Sequence, residues 1–197
     1  PLGSRQVGTT ASPFETDSFQ FNAARGQTVL LENLSAAPDG ARLSLLGPSG
    51  VVLASSDDAT SIGTPIVLTS AGVSTLRAGG DGTEGDYGFR LRNLSAAPTL
   101  SWVTPRSGDL SGSASRRAYR IQAQAGQRLA VTLATGDDAI VRRRIYSPLG
   151  ALVADSMLSE SAFTATQSGP YVVVVDSPSA SDGESNAFEV RLLNQSF

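Results

Sequence analysis

The sequence of 197 residues contains no cysteine, no histidine and no lysine. Without cysteine there are no disulfides, thiol nucleophiles or cysteine-bound zinc ions. Without histidine there is no Ser-His-Asp triad and no imidazole ligand for a metal. All 15 basic residues are arginine, which excludes Schiff-base lysines and a phosphate-loop lysine. The side-chain chemistry that remains is that of carboxylates, hydroxyls, amides and guanidinium groups.

Long apolar runs and an excess of basic charge are also absent. No apolar run reaches the roughly 20 residues of a membrane-spanning helix. A net charge of −3 and a pI of about 4.9 argue against nucleic-acid binding. We therefore expect no membrane insertion and no nucleic-acid partner. The lack of cysteine fits a cytosolic protein and equally an exported bacterial protein that folds without disulfides. Residues 1–4, Pro-Leu-Gly-Ser, are typical of a tag scar, the remnant of a cleaved affinity tag, and are left out of the fold prediction.

The second half of the sequence repeats the first, with most matching positions one hundred residues apart. We predict two modules of one kind, residues 5–98 and 99–197, joined through a short Ala-Ala-Pro linker. A chain cut from a longer protein at a module boundary and a short protein with one ancient duplication both fit this pattern. The clearest matches are Gly26-Gln27 with Gly126-Gln127, Pro48 and Gly50 with Pro148 and Gly150, and Tyr87–Asn93 with Phe188–Asn194.

Short runs of alternating apolar and polar residues dominate both halves. Phe19–Ala23 and Tyr119–Ala123 have the period of two that is typical of a strand with one buried face. Nearly continuous apolar runs at Thr28–Leu31, Pro65–Leu68 and Tyr171–Val175 predict central strands. No segment shows a sustained helical period. Seven or eight short strands in about 95 residues predict an all-β chain of two antiparallel β-sandwiches in tandem. Turn residues at Gly47-Pro48-Ser49-Gly50 and Ser147-Pro148-Leu149-Gly150 predict two hairpins.

The order of these motifs resembles the bacterial pre-peptidase C-terminal (PPC) domain. The resemblance covers nearly all of both halves. It implies jelly-roll-like β-sandwiches that belong to secreted or cell-surface bacterial proteins, accompany catalytic or adhesive domains, and are not enzymes themselves. The motifs of the first half are Phe19-Gln20-Phe21, Arg25-Gly26-Gln27, Pro48-Ser49-Gly50, Gly72–Leu76 and Tyr87–Leu91. Those of the second half are Tyr119-Arg120-Ile121, Ala125-Gly126-Gln127, Pro148-Leu149-Gly150, Gly169–Val173 and Phe188-Glu189-Val190.

Two positions depart from the PPC pattern. Ser74 stands where a tyrosine is usual. Arg143 aligns with the inward-facing Leu43, so its guanidinium must be paired, carried to the surface or displaced by a bulge. Asp137 or Asp138 is a candidate partner. Alternatively, the strand around Arg143 is an exposed edge whose charges discourage pairing with other chains.

A glycine-rich acidic loop is the candidate metal site. Asp81, Glu84 and Asp86 place three carboxylates just before a predicted strand, and Ca²⁺ takes six to eight oxygen ligands. The spacing is not that of an EF-hand, and a solvated polar turn fits it equally. The matching acidic segment of the second half, 176–184, supports the calcium interpretation.

Several other features allow further functions. Trp102, the only tryptophan, is a candidate interface plug, core cap or carbohydrate-stacking platform. A hydrolase would need two carboxylates converging on one cleft, which no spacing here predicts. We expect a non-catalytic structural, spacer or adhesive role without a required cofactor, next to other modules of the same chain. The alternatives are a calcium-assisted module that binds carbohydrate or an extracellular protein, and an accessory domain that assists an attached secreted hydrolase.

Overall fold

The computed structural model describes residues 2–34, 41–57, 62–80, 82–102, 104–111, 116–136, 140–177 and 185–194. The chain divides into unit 1, Pro1–Ser95, and unit 2, Ala96–Phe197. The division falls at the start of the predicted linker. None of the described segments forms a helix with the length and hydropathy of a membrane span.

Unit 1 consists of two four-stranded antiparallel sheets. The sheet orders are β1-β8-β3-β6 and β2-β7-β4-β5, so consecutive strands repeatedly pass from one sheet to the other, as in a jelly roll. A short 3-10 turn over Leu94–Ala96 follows the last strand. The strands are β1 (Arg5–Thr10), β2 (Thr16–Ala23), β3 (Thr28–Asn33), β4 (Leu43–Leu46), β5 (Val52–Ser55), β6 (Pro65–Val67), β7 (Gly72–Gly79) and β8 (Gly85–Asn93).

Unit 2 has the same strand order as unit 1. Its sheets run β9-β16-β11-β14 and β10-β15-β12-β13, which is the order of unit 1 with eight added to every label. The predicted all-β class with two antiparallel β-sandwiches is therefore confirmed. The strands are β9 (Arg106–Ser111), β10 (Arg116–Ala123), β11 (Arg128–Thr135), β12 (Arg142–Tyr146), β13 (Leu152–Ser156), β14 (Glu160–Thr164), β15 (Gly169–Asp176) and β16 (Ser185–Asn194).

Each unit has its own hydrophobic core between its two sheets. Because side chains alternate across a strand, one face of each strand enters the core and the other faces outward. The largest fully buried core residues of unit 1 are Leu31, Leu43, Leu45, Leu68 and Leu76. Those of unit 2 include Leu110, Ile121 and Tyr171.

The two predicted hairpins are confirmed, and their prolines pack against a glycine at the start of a neighbouring strand. Gly50 N–H donates to the Gly47 carbonyl at 2.9 Å, which closes the β4–β5 turn. A Cβ added to Gly72 would lie 3.0 Å from Pro48 Cβ, and Gly72 has φ +137°. Gly169 has φ +142° and faces Pro148 in the same way in unit 2. These positions require glycine because both the backbone conformation and the contact exclude a side chain.

A glycine on the first strand of each unit lies opposite an aromatic ring on the last strand. Gly8 pairs with Tyr87, and Gly108 pairs with Phe188. A Cβ on Gly108 would lie 2.5 Å from Phe188 Cζ, so the ring fills the space that the missing side chain leaves. In unit 1 the Tyr87 hydroxyl also donates to Asp17 Oδ2 at 2.6 Å. Burial and this hydrogen bond raise the pKa of Tyr87.

The departure at Ser74 is accommodated by an exchange of side-chain size across one strand pair. Ser74 on β7 is fully buried and lies opposite Phe21 on β2. The same pair in unit 2 is Tyr171 opposite Ile121, with the large ring on the other strand. Both arrangements place one large and one smaller side chain at this level of the sandwich, which favours similar packing.

The expectation that Pro65–Leu68 forms a central strand is wrong. Pro65–Leu68 is apolar, but β6 is a three-residue edge strand rather than a central one, consistent with the missing N–H of its first residue, proline. Two residues of the segment that the fold prediction leaves out, Leu2 and Gly3, contact unit 1. Leu2 packs against the core of unit 1, and Gly3 N–H donates to the Leu91 carbonyl at 2.7 Å.

Substitution of Gly108 by alanine tests the glycine–aromatic pair. We expect Gly108→Ala to lower the free energy of unfolding by about 2 kcal/mol, because the new Cβ must displace a buried ring. Gly136→Ala is the matched control in the same unit, since a Cβ there meets no atom within 4 Å. Its effect should stay within about 0.5 kcal/mol. Chemical denaturation followed by circular dichroism measures both, and equal effects of the two substitutions would contradict the pairing argument.

Candidate functional site

The predicted calcium loop leads into β8. Glu84 and Asp86 are both exposed, and Asp86 Oδ1 accepts a hydrogen bond from Thr9 Oγ1 at 2.5 Å. Nearby, Arg42 N–H donates to Thr83 Oγ1 at 3.0 Å and so connects the loop to the chain before β4. Asp81 lies outside the described residues. The described part of the loop thus presents two carboxylates, one of which a cross-strand hydroxyl already engages.

Within the part of the chain that the structure describes, no three acidic side chains form a group that could hold a metal ion. The matching acidic segment of unit 2 lies outside this part from residue 178 onward. Its first residue, Asp176, is the last residue of β15 and forms ion pairs with Arg116 and Arg144. Asp176 Oδ2 lies 3.4 Å from Arg116 Nε. This carboxylate therefore balances arginine charge within its own sheet, and the calcium site at Asp81, Glu84 and Asp86 stays a prediction.

A fully buried guanidinium lies on the inner face of β12. Arg143 is 0% exposed and occupies the place that Leu43 holds on β4. Strand β12 lies between β15 and β13, so the interpretation of Val141–Ile145 as an exposed edge is wrong. A bulge is present between Ile145 and Tyr146, but it leaves Arg143 facing inward. The alignment of Arg143 with the inward-facing Leu43 therefore gave the correct position of its side chain.

Among the residues that the structure describes, Arg143 has few partners for a buried cation. Its Nη2 donates to the Leu158 carbonyl at 3.2 Å, whereas Nε and Nη1 have no hydrogen-bond partner among the described residues. Burial lowers the pKa of Arg143 to about 10, against the opposing effect of the Glu160 carboxylate. The proposed partners, Asp137 and Asp138, lie outside the described residues. The group stays a cation at neutral pH, and the described residues compensate its loss of hydration only in part.

The arginines on either side of Arg143 both form ion pairs with aspartates. Arg142 forms a bidentate ion pair with Asp155. The hydrogen bonds that Arg142 donates hold the pKa of Asp155 below its ordinary value. Arg144 pairs with Asp176. The side chains of Arg142, Arg143 and Arg144 therefore point outward, inward and outward in turn, as the period of two along a strand requires.

Unit 1 has its own buried ion-pair cluster on the outer face of β3 and β8. Glu32 is 1% exposed, and its Oε2 lies 2.9 Å from Arg92 Nε and 3.7 Å from Arg90 Nη1. Glu32 and Arg90 are direct cross-strand partners. No alternating pattern revealed this cluster, because β3 reads as a continuous apolar strand up to Glu32.

Two further features, Trp102 and a shallow cavity, lie at the surface of unit 2. Trp102 is 44% exposed and lies outside the core cluster, which Leu100 joins instead. A shallow cavity of about 150 Å³ is bordered by Glu160 and Glu189, and Glu189 Oε1 accepts from Arg191 Nε at 2.7 Å. One of the two carboxylates near this cavity is therefore held by a cation.

Comparison with known proteins gives partial likenesses. No protein-family profile and no curated protein matches the chain. A solved pre-peptidase C-terminal domain of a collagenase from Bacillus anthracis is 15% identical to this chain, with a TM-score of 0.41. The match covers 49% of this chain and 93% of the collagenase domain. The human CUB1-EGF-CUB2 domain of MASP-1/3 is 9% identical over 98% and 100% of the two chains, with a TM-score of 0.28. A conserved protein of unknown function from Pseudomonas aeruginosa PAO1 is 12% identical over 90% and 76%, with a TM-score of 0.27.

Replacement of Arg143 by methionine tests whether the buried charge is a cost to the fold. Methionine follows the path of the arginine stem without a charge to desolvate. We expect Arg143→Met to raise the free energy of unfolding by about 1 kcal/mol. Arg142→Met is the control: it removes a partly exposed ion pair and should lower stability by less than about 1 kcal/mol. A loss of stability at Arg143→Met would mean that further partners compensate the guanidinium.

Proposed function

We propose that the chain is a pair of PPC-related β-sandwich modules with a non-catalytic structural role in a larger exported bacterial protein. One observation carries this proposal. The same eight-strand order occurs in both units, each with its own core, and the turns that carry the PPC resemblance occupy equivalent places in both. Repetition of a self-contained unit is typical of modules that set distance or present neighbouring domains.

The placement of the motif residues supports the family assignment. In each unit the Gly-Gln turn connects the second and third strands. A backbone bond joins this turn to the residue after the unit's sixth strand, from Gly26 N–H to Leu68 O in unit 1 and from Gly126 N–H to Ala165 O in unit 2, both at 2.7 Å. The Pro-x-Gly turn packs on the glycine that begins the seventh strand. Motifs far apart in the sequence thus meet at the same points in both units.

The interiors of the units support a structural role over catalysis. The cores are filled with aliphatic and aromatic side chains, and the buried charged groups of the described residues are paired with arginine or, in the case of Arg143, with a carbonyl. A catalytic site needs polar groups that converge on a cavity open to substrate. The partners we expect are neighbouring modules of the same chain, with carbohydrate or an extracellular protein as the adhesive alternative.

Calcium titration separates the structural role from the calcium-assisted alternative. The structural proposal predicts no saturable heat when Ca²⁺ is titrated into the chain in a calorimeter. A saturable heat that disappears in the triple variant Asp81→Asn, Glu84→Gln, Asp86→Asn would favour the calcium-assisted module. The double variant Glu160→Gln, Glu189→Gln, which removes acidic charge elsewhere, is the control. Loss of heat in both variants would indicate attraction by bulk charge rather than a site.

Binding to a panel of glycans and matrix proteins separates the structural from the adhesive role. The immobilised chain is exposed to each panel with and without Ca²⁺. A structural module should give no saturable binding under either condition. Saturable binding of one member, lost when Trp102→Ala removes the exposed indole, would support an adhesive role with stacking at that residue.

A further inference from the structure

The connection between β13 and β14 is a strap of three residues, 157–159, on one side of the unit 2 sandwich. It joins the edge strand of one sheet to the edge strand of the other, so it crosses the side on which the space between the sheets is otherwise open. Its first two side chains face solvent, since Met157 is 59% and Leu158 is 73% exposed. The strap therefore covers this side of the sandwich with its backbone, and it buries little apolar surface of its own.

Within the described residues, the strap is held by three hydrogen bonds. Leu158 N–H donates to Ser156 Oγ at 3.0 Å, and Arg143 Nη2 donates to the Leu158 carbonyl at 3.2 Å. On the other sheet, Leu133 N–H of β11 donates to the Ser159 carbonyl at 2.7 Å. The shallow cavity of unit 2 borders Leu133 and Ser159, so this part of the strap lacks close packing. A segment attached by a few polar contacts and little apolar burial belongs to the low-stability end of a fold.

The bond from Arg143 to the strap comes with a buried charge that favours opening. The guanidinium is 0% exposed, and its Nε and Nη1 have no hydrogen-bond partner among the described residues. A carbonyl accepts a proton but does not neutralise the cation. Displacement of the strap from the Leu158 carbonyl would admit water to all three nitrogens of the group. The counterpart in unit 1 is Leu43, whose burial is favourable and gives no such gain on opening.

We propose that the strap of unit 2 opens as a local unit while both sheets stay folded, and that hydration of Arg143 drives the opening. The opened strap gives up hydrogen bonds that water replaces at small net cost. It exposes a cation, between the two edge strands, that the closed strap hides. The proposal concerns a conformational change within unit 2 and does not depend on the structural role or on the PPC assignment.

Native-state hydrogen exchange, followed by NMR on the full chain in increasing urea, tests the proposal without any variant. The Leu133 amide reports on the strap, because its acceptor is the Ser159 carbonyl. The Val173 amide reports on global unfolding, because β15 is a central strand and Val173 is fully buried. We expect Leu133 to exchange at least about tenfold faster than Val173 and almost independently of urea, since a local opening exposes little surface. Equal rates with equal urea dependence would overturn the proposal.

Replacement of the buried arginine tests the cause of the opening. Arg143→Met should slow the exchange of Leu133 about fivefold, because methionine fills the same space and gains nothing from hydration. Arg142→Met is the matched control, since it removes the neighbouring outward charge and should not slow this exchange. Faster exchange of Leu133 in Arg143→Met would show that the guanidinium holds the strap closed, and the proposal would fail.

The loop before β12 offers the competing explanation, in which Asp137 or Asp138 compensates the buried cation. The double variant Asp137→Asn, Asp138→Asn should leave the exchange of Leu133 unchanged if hydration of Arg143 drives the opening. A change of more than about threefold in either direction would assign the counter-charge to this loop and overturn the proposal.

Discussion

Burial of one face of every strand between two antiparallel sheets is the constraint on which both units depend. With only about one hundred residues in each unit, the apolar area that stabilises the fold must come from this single layer between the sheets. Strand register is then set tightly, because a shift of one residue would turn Leu43 and Leu45 outward and their polar neighbours inward. Turns, glycine contacts and ion pairs all act within the register that the core imposes.

Comparison of the two units separates positions that fix the backbone from positions that only fill space. Where a glycine conformation and a close contact coincide, as at Gly72 against Pro48, unit 2 repeats the same residue types. Where only volume matters, the units differ, as in the exchange of large and small side chains between Phe21–Ser74 and Ile121–Tyr171. The structural likeness of the two units is therefore visible in the sequence mainly at the turns.

The alternation and turn patterns were sufficient to predict the fold class and the hairpins. The alignment of the two halves placed Arg143 at an inward position, but it left an exposed edge strand open as the alternative. They could not place Pro65–Val67 at an edge, because an apolar run looks the same in an edge strand and a central one. They could not identify Leu158 as the partner of Arg143, because the acceptor is a backbone carbonyl, which every residue type carries. Thr9 and Asp86 lie near opposite ends of the unit 1 sequence, so their contact follows only from the pairing of β1 with β8.

The sandwich leaves its strand edges as its most directional polar surface. Glu84 and Asp86 of the acidic loop are exposed, and Asp86 already accepts a hydrogen bond from a hydroxyl, so a ligand of Asp86 would have to displace that interaction. An edge strand instead presents N–H and carbonyl groups at fixed spacing, which sets the orientation of any segment that pairs with it. The bridge between Thr99 and Arg120 shows that this fold can use such an edge.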